Sequence, residues 1–594
     1  MKSKILAIYS IFLLPILYFY NEVIATTLTA LLSSGFAIGY LLDQKKQKLV
    51  PTKLLTILLF LLTIWLFTVG RSVVISCASY ASFPVFIKLC SLLLLTYSVT
   101  CELSHNPKES ITFYRAAAFT GFFQGLFAIA EYIEAPPIPA TWLDPASKEL
   151  FRTRCCGMMT DPNIFAAFLS ALFIMTIGLI ITSDKKNEQS GAASSLVLCG
   201  TGIFMTLSRG GWIALFAGLT AFFVALRISG KKPSEFANKI LFASAVILLI
   251  VFFAGPFRHR LFSITKPTDM TFAQRTLINK GIFGAIDRLP IAGHGIHTFT
   301  QVYPLYRIVG GDYPMNAHNE FLHSLIETGF FSSLLLALIT VYIFRIAYKG
   351  SNQHNLDCII FFAVFISFLI QNLSGFSTRI LPTSILIAIA VAGTIANQLI
   401  KSPFKYVTNK TSQLTLCNYA IAALTAVVIC GSAYSFVIQT RLSSAPMLMK
   451  AGKINEGIQA LEYVLRCQPG NTNAADALGM YELIMRKNQQ KAVEIWQKAI
   501  KYNPCEPILQ LRLATCMAES DPETADAYYQ QVLKLDPASE EYRLNYARFL
   551  LNQNKKAEAK TILEKGLTYS PGFHNVYTGF QRMENLLEEI KSTN

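Results

Sequence analysis

Apolar runs of membrane-spanning length fill the first three quarters of the chain, separated by short polar stretches. A helix that crosses the hydrocarbon core of a bilayer needs about 20 mostly apolar residues. By that criterion the pattern predicts thirteen spanning helices, centred near Leu13, Leu32, Leu61, Leu94, Phe122, Leu172, Gly200, Thr220, Leu248, Leu336, Val364, Ala388 and Val427. The seventh is short and weakly apolar. The opening "MKSKILAIYSIFLLPILYFY" has the outline of a cleavable leader. It lacks an A-x-A-like site, and a second apolar run follows almost at once, so it reads as a retained first helix.

Past the last run the pattern changes. Prolines stand at 469, 504, 537 and 571, at intervals of 35, 33 and 34 residues. That spacing resembles the 34-residue period of tetratricopeptide repeats, helix–turn–helix units in which a proline closes the second helix. The unit from Ala475 to Pro504 places small residues at Ala475, Ala477, Gly479, Ala492 and Ala499. Three to four repeats fit between about Ser443 and Asn575, and "VYTGFQRMENLLEEI" reads as a closing helix. The expected fold is all-α: a polytopic membrane protein of about 13 transmembrane helices, a long extracytoplasmic loop region and a C-terminal α-solenoid. Its expected divisions are helices one to nine in 1–256, an active-site loop in 257–322, helices ten to thirteen in 323–440 and a repeat domain in 441–594.

Composition agrees. The chain is 53% hydrophobic and 15% charged, with a mean hydropathy of +0.41; soluble proteins carry about 25% charge. The net charge of +16 is uneven. Residues 441–594 hold 19 Lys and Arg against 18 Asp and Glu, so the excess lies in the apolar part. Basic residues there set membrane topology, and nucleic acid is not an expected partner. Stretches 43–53, 184–188, 227–239, 345–350 and 401–410 are basic, and with the N-terminus inside, thirteen alternating helices place all of them on the cytoplasmic side. The connections 71–84, 132–160, 208–211, 257–321 and 375–379, and the repeat domain, then face outward.

Several charges break that bias. Arg152, Arg154, Arg209, Arg258, Arg260, Arg275, Arg288, Arg307 and Arg379 fall on the outer side, with His259, His294, His297, His318 and His323. Positive charge kept there suits an anion site; the plainer alternative is loop charge meeting lipid headgroups. No GxxxxGK[ST], DxD, GxSxG or HExxH occurs, so neither a nucleotide-driven nor a zinc-driven enzyme is expected. The twelve cysteines form no CxxC pair, which indicates neither a zinc site nor a disulfide framework. No metal and no cofactor is expected.

The outward loop of about 65 residues is long enough to be functional. It ends in "MNAHNEFLHSLIETGF" (315–330), which places His318 in the first turn of a helix at the outer interface. A neutral imidazole there can accept a proton; the plainer alternative is a histidine that packs or caps. Asn319 is the better capping residue. In "SRGGW" (208–212), Arg209 sits at a tight turn whose glycines let the backbone approach a ligand.

Four motifs resemble the O-antigen ligase superfamily, which includes lipopolysaccharide O-antigen ligases, polymerases and bacterial O-linked oligosaccharyltransferases. They are "GMMTDPNIFAAFL" (157–169), "SRGGW" (208–212), "QRTLINKGIFGAIDRLPIAGHGIHTF" (274–299) and "AHNEFLHSLIETGF" (317–330). The similarity spans about residues 150 to 400. Two departures stand out: "TLIN" follows Arg275 where the family often has a Trp, and His294 separates two glycines where an apolar residue is common. The resemblance implies transfer of a glycan from an undecaprenyl-diphosphate carrier to an acceptor hydroxyl, at the periplasmic face of a bacterial inner membrane. The acceptor is a protein Ser/Thr or the lipid A-core, or the growing glycan itself.

By the same resemblance His318 activates the acceptor, while Arg209 and Arg275 bind the donor diphosphate. Asn319, Arg288, Arg307 and Arg379 support them, and transfer inverts the anomeric carbon without a covalent intermediate. A lipid diphosphate leaves as an anion and needs positive charge rather than a general acid, which suits arginine. The repeats favour a protein acceptor, or a partner protein held on their surface. Two readings outside this class remain: a transporter for lipid-linked sugars, which calls for charges inside spans, and a repeat-bearing scaffold, which leaves the outward Arg/His set unused.

Overall fold

The computed structural model describes residues 2–44, 49–134, 154–254, 257, 270–308, 314–401, 411–569 and 578–592. A helix stands at each of the thirteen predicted centres. They are α1 (Lys2–Tyr20), α2 (Glu22–Gln44), α3 (Lys53–Val74), α4 (Ser79–His105), α5 (Ser110–Glu134), α6 (Pro162–Thr182), α7 (Lys186–Met205), α8 (Arg209–Ser229), α9 (Glu235–Ala254), α11 (Glu320–Asn352), α12 (Leu356–Gln371), α13 (Leu381–Ile395) and α14 (Thr411–Lys450); α10 (Met270–Phe283) lies in the loop region between α9 and α11. Among the described residues, eleven helices are long and apolar enough to cross a membrane. The two predicted centres outside that set fall on α7, whose first turn is polar, and α12, which is 16 residues long. The protein is a multi-pass membrane protein.

The centre of the bundle is α6. Its sequence carries no charge, and 94% of its apolar window is buried against other parts of the chain. It packs against α5, α7, α8 and α12. Small residues allow this closeness: a Cβ at Gly211 of α8 would run into the Ala166 Cβ of α6. One short antiparallel pairing joins Leu49–Pro51 to Leu399–Lys401.

Helix α14 runs 40 residues without interruption, about 60 Å at the α-helical rise. It crosses the expected 440/441 division. Its C-terminal part, through Ile438, Leu442, Ala445 and Met449, packs on α15 (Ile454–Cys467) as the first helix of the repeats. The remaining repeat helices are α16 (Thr472–Ile484), α17 (Gln489–Tyr502), α18 (Pro507–Met517), α19 (Pro522–Leu535), α20 (Glu540–Asn552) and α21 (Lys556–Leu567), followed by α22 (Thr578–Ser592). Pro469, Pro504 and Pro537 each stand two residues beyond a helix end, as the spacing predicts; Pro571 lies outside the described residues. Gly479 lets α16 close on the buried indole of Trp496, which a Cβ there would strike.

Candidate active site

Helix α11 is broken at Gly329, whose φ of 85° is left-handed. A break deprives the preceding carbonyls of their usual i+4 donors. The segment 290–297, "PIAGHGIH", supplies replacements. His294 N–H donates to the Ile326 carbonyl at 2.9 Å and Gly295 N–H to the Glu327 carbonyl at 2.8 Å, while Phe330 N–H turns to the Ile291 carbonyl at 3.1 Å. The approach is so close that a Cβ at Gly293 would run into the Glu327 backbone, and one at Gly329 into Ile291 and Ala292. Glycines 293 and 295 also hold positive φ, 74° and 118°. The G-H-G and E-T-G motifs are therefore two halves of one joint. His294, the departure from the family pattern, holds the Tyr306 hydroxyl through Nε2 at 2.7 Å.

The joint fixes Glu327, whose side chain is 1% exposed. Its carboxylate accepts from Arg379 Nη1 at 2.7 Å, His323 Nε2 at 2.9 Å and the Phe299 N–H at 3.2 Å. His323 Nδ1 in turn accepts the Ala317 N–H at 3.3 Å, which leaves Nε2 to donate to Glu327. The second arm of Arg379 reaches Glu320 Oε1 at 3.1 Å, and the Thr378 hydroxyl donates to the other Glu320 oxygen. Burial works against the charge on Arg379, yet Glu320 and Glu327 hold its pKa above the usual guanidinium value.

His318 precedes this network by two residues. Its φ is 52°, and its ring meets Phe376 edge-on at 5.4 Å. Nδ1 is buried and has no hydrogen-bond partner among the described residues. Burial, then the Arg275 charge and His323, push its pKa down to about 3, so the ring is neutral at pH 7. Asn319 caps α11: its Oδ1 accepts from Phe321 N–H at 3.1 Å and Leu322 N–H at 3.2 Å.

A second corner adjoins the first. Ser208 caps α8 by accepting the Gly211 N–H at 3.2 Å, and its hydroxyl donates to Asn163 Oδ1 at 2.8 Å. Asn163 lies in the first turn of α6, which Asp161 caps. Gln371 Nε2 donates to the Asn163 carbonyl at 3.2 Å, and a Cβ at Gly210 would stand 3.2 Å from Ser374 Oγ. Arg209 is the first residue of α8 at this corner. The turn that carries Gln371 and Ser374 continues through Phe376, which packs on His318, to Arg379.

The expected residues thus fall into two groups. His318 and Arg275 sense each other electrostatically, and one turn links them to the corner that Arg209 opens. The others lie elsewhere or are engaged. Arg288 is exposed and reaches the Gly284 carbonyl at 3.4 Å. Arg307 is buried against the repeats, with Nη1 3.5 Å from the Ala538 carbonyl. Arg379 is held by two carboxylates, and Asn319 Oδ1 by the helix start. His297, whose pKa burial lowers, lies within electrostatic reach of Glu327 and Arg379. Arg152, Arg258, His259 and Arg260 lie outside the described residues. Glu320 and Glu327 stand in the His318 motif, but the sequence assigned them no role and placed His323 only in the outward set. Their spacing held the signal: 320, 323 and 327 share one helical face, opposite a lone arginine in "GFSTR".

A family model described as O-Antigen ligase matches residues 194–337. The chain carries an O-antigen ligase domain. The ligase domain takes in Arg209, Arg275, His318, His323, Glu327 and both halves of the joint. A tetratricopeptide repeat model matches residues 517–578. Residues 194–337 are therefore similar to O-antigen ligases, a membrane glycosyltransferase class, and tetratricopeptide repeats stand in the C-terminal part of the chain. No curated protein matches the chain. Among solved structures, the crystal structure of yeast Tom70 is similar over 81% of this chain and 96% of its own, at 11% identity and a TM-score of 0.27.

Proposed function

We propose that this ligase domain transfers a glycan from an undecaprenyl-diphosphate carrier to an acceptor hydroxyl at the periplasmic face of a bacterial inner membrane, and that the acceptor is a protein Ser/Thr. The observation that carries the reading is the buried, unpartnered Nδ1 of His318 within the field of Arg275. A neutral imidazole with an unused nitrogen is the form a general base needs. A positioned base contributes about 10²–10⁴-fold. Alone, His318 is a weak base, because its pKa is low. A diphosphate beside Arg275 offsets the part of that depression due to the arginine, so donor binding strengthens the base. Arg209 and Arg275 balance the charge that gathers on the departing diphosphate. Attack by the acceptor oxygen on the anomeric carbon and departure of the diphosphate in line invert the centre.

The repeat domain supports a protein acceptor. Its Glu506 accepts from Gln301 Nε2 at 3.4 Å, two residues from Phe299, whose N–H holds Glu327. A cavity of about 420 Å³ lies at that junction, lined by Tyr80, Gln301, Thr472, Glu506 and Tyr542 among others. An acceptor held by the repeats would lie beside the loop that carries the site.

The test is transfer by purified protein from a lipid-linked glycan to a Ser/Thr-bearing secreted protein, read as a mass shift. His318→Asn retains the tolerance for positive φ and should abolish the shift while inserting normally. Undiminished transfer by that variant would sink the assignment, and transfer only to a lipid A-core acceptor would replace the protein substrate.

A further inference from the structure

Two thiols from distant parts of the chain meet where the repeats join the membrane domain. Cys77 lies in the turn between α3 and α4, and Cys505 just before α18 of the repeats. Their side chains lie within interaction range of each other, and Tyr80, three residues after Cys77, lines one cavity with Glu506, the residue after Cys505. Both are partly buried rather than sealed. Neighbouring contacts fix the same junction independently: Gln301 reaches Glu506, the residue after Cys505, and Arg307 reaches the Ala538 carbonyl. On its other side Cys77 donates its N–H to the His294 carbonyl at 3.2 Å. The Cys77 backbone is therefore bolted to the segment that closes the joint at Gly329.

We infer that Cys77 and Cys505 are a redox-active pair that forms a disulfide, stapling the repeat domain to the loop that holds the active site. The observation behind this is the approach of the two cysteine-bearing segments across that junction, where Glu506 meets Gln301 and shares a cavity with Tyr80 while Cys77 is tied to His294. It does not depend on which acceptor is glycosylated. The oxidant is a dithiol–disulfide oxidoreductase or a small-molecule disulfide. A thiolate of the pair attacks a sulfur of that disulfide and displaces one oxidant thiolate. The second cysteine, once deprotonated, attacks the mixed disulfide and displaces the other. Two protein thiols lose two electrons and two protons, and the oxidant disulfide becomes a dithiol. A thiolate that accepts S–H···S⁻ from the neighbouring thiol is stabilised, which favours the first step. The first proton leaves the pair more readily and the second less so.

The other cysteines provide internal controls. Cys90, Cys155 and Cys199 are buried, while Cys430 and Cys467 are exposed. The test uses the full chain, purified in detergent with free thiols capped during lysis. A portion reduced first and then exposed to glutathione disulfide runs in parallel. Peptide mass spectrometry should find a Cys77–Cys505 linked peptide in at least the glutathione-treated portion, lost on reduction. Cys77→Ser and Cys505→Ser should each abolish it. Recovery of the link directly from cells shows that the compartment supplies the oxidant. Complete capping of both thiols in both portions, with no linked peptide, overturns the inference, as does linkage of either cysteine to Cys430 or Cys467 instead. Glycan transfer by Cys77→Ser is scored separately, so loss of the link and loss of the proposed activity are distinguishable.

Discussion

Arg379 donates to Glu327 at 2.7 Å, across 52 residues of sequence, and with its other arm holds Glu320. The pair is largely withdrawn from water, with side-chain exposures of 17% and 1%. Removing one member of a buried pair leaves an uncompensated charge and typically costs about 3–5 kcal/mol. Arg379→Ala strands two carboxylates and should destabilise at the upper end of that range. Glu320→Gln, at the more exposed arm, should cost less. Thermal unfolding of the purified variants orders them, and an Arg379→Ala protein that melts with wild type would show that the network is not structural.

Gly329→Ala separates two effects of left-handed glycine. At Gly230, φ is 66° and a Cβ meets nothing within 4 Å, so alanine there costs only the conformational penalty, about 1–2 kcal/mol. At Gly329, φ is 85° and the added carbon collides with the backbone of Ile291 and Ala292. Gly329→Ala should therefore destabilise well beyond Gly230→Ala and open the joint around Glu327. Unfolding temperatures of the two variants compare them directly; equal losses would mean the joint yields.

The helices, the repeats and the motifs were readable in the sequence because each depends on local pattern. A 20-residue apolar run, a proline every 34 residues and a Ser before Arg-Gly-Gly state their roles within one turn or one period. The partners of the arginines were not readable. "GFSTR" does not say that Arg379 is taken by carboxylates on another helix, and Arg307 looks like any loop arginine until the repeats pack over it. These outcomes depend on contacts between elements 52 to 231 residues apart in sequence. Nor was the break at Gly329 visible as a break, since the apolar pattern continues through "GFFSSLLLALI". Its sign was the pair of glycines in "GHG", whose reason appears only when they supply donors to Ile326 and Glu327.

Asn319→Ala tests the start of α11. The side chain serves two backbone donors, and loss of such a cap costs about 0.5–2 kcal/mol. Asn319→Asp and Asn319→Ser can make the same bonds and should recover most of the loss in unfolding measurements. If Ala and Asp behave alike, the cap carries no stability and Asn319 acts elsewhere.

His318 gives the fold a pH dependence whose sign is fixed. Its folded pKa of about 3 lies below the value of about 6.5 expected in the unfolded chain. Between those limits the unfolded chain binds the extra proton, so stability rises with pH across that window. The contribution is complete above about pH 6.5 and is lost as pH falls toward 3. Carboxylates also titrate in the lower part of the window, so the informative quantity is a difference between proteins. His318→Asn has nothing to protonate at that position and tolerates the left-handed backbone. From pH 7 to pH 5 the wild-type unfolding temperature should fall more than that of the variant. Inorganic pyrophosphate, if it binds beside Arg275, should shrink the difference by offsetting the arginine's share of the depression. Parallel pH profiles for the two proteins would mean that His318 is already charged, or exposed, in the folded state, and the base proposed for glycan transfer would have to be sought among other residues.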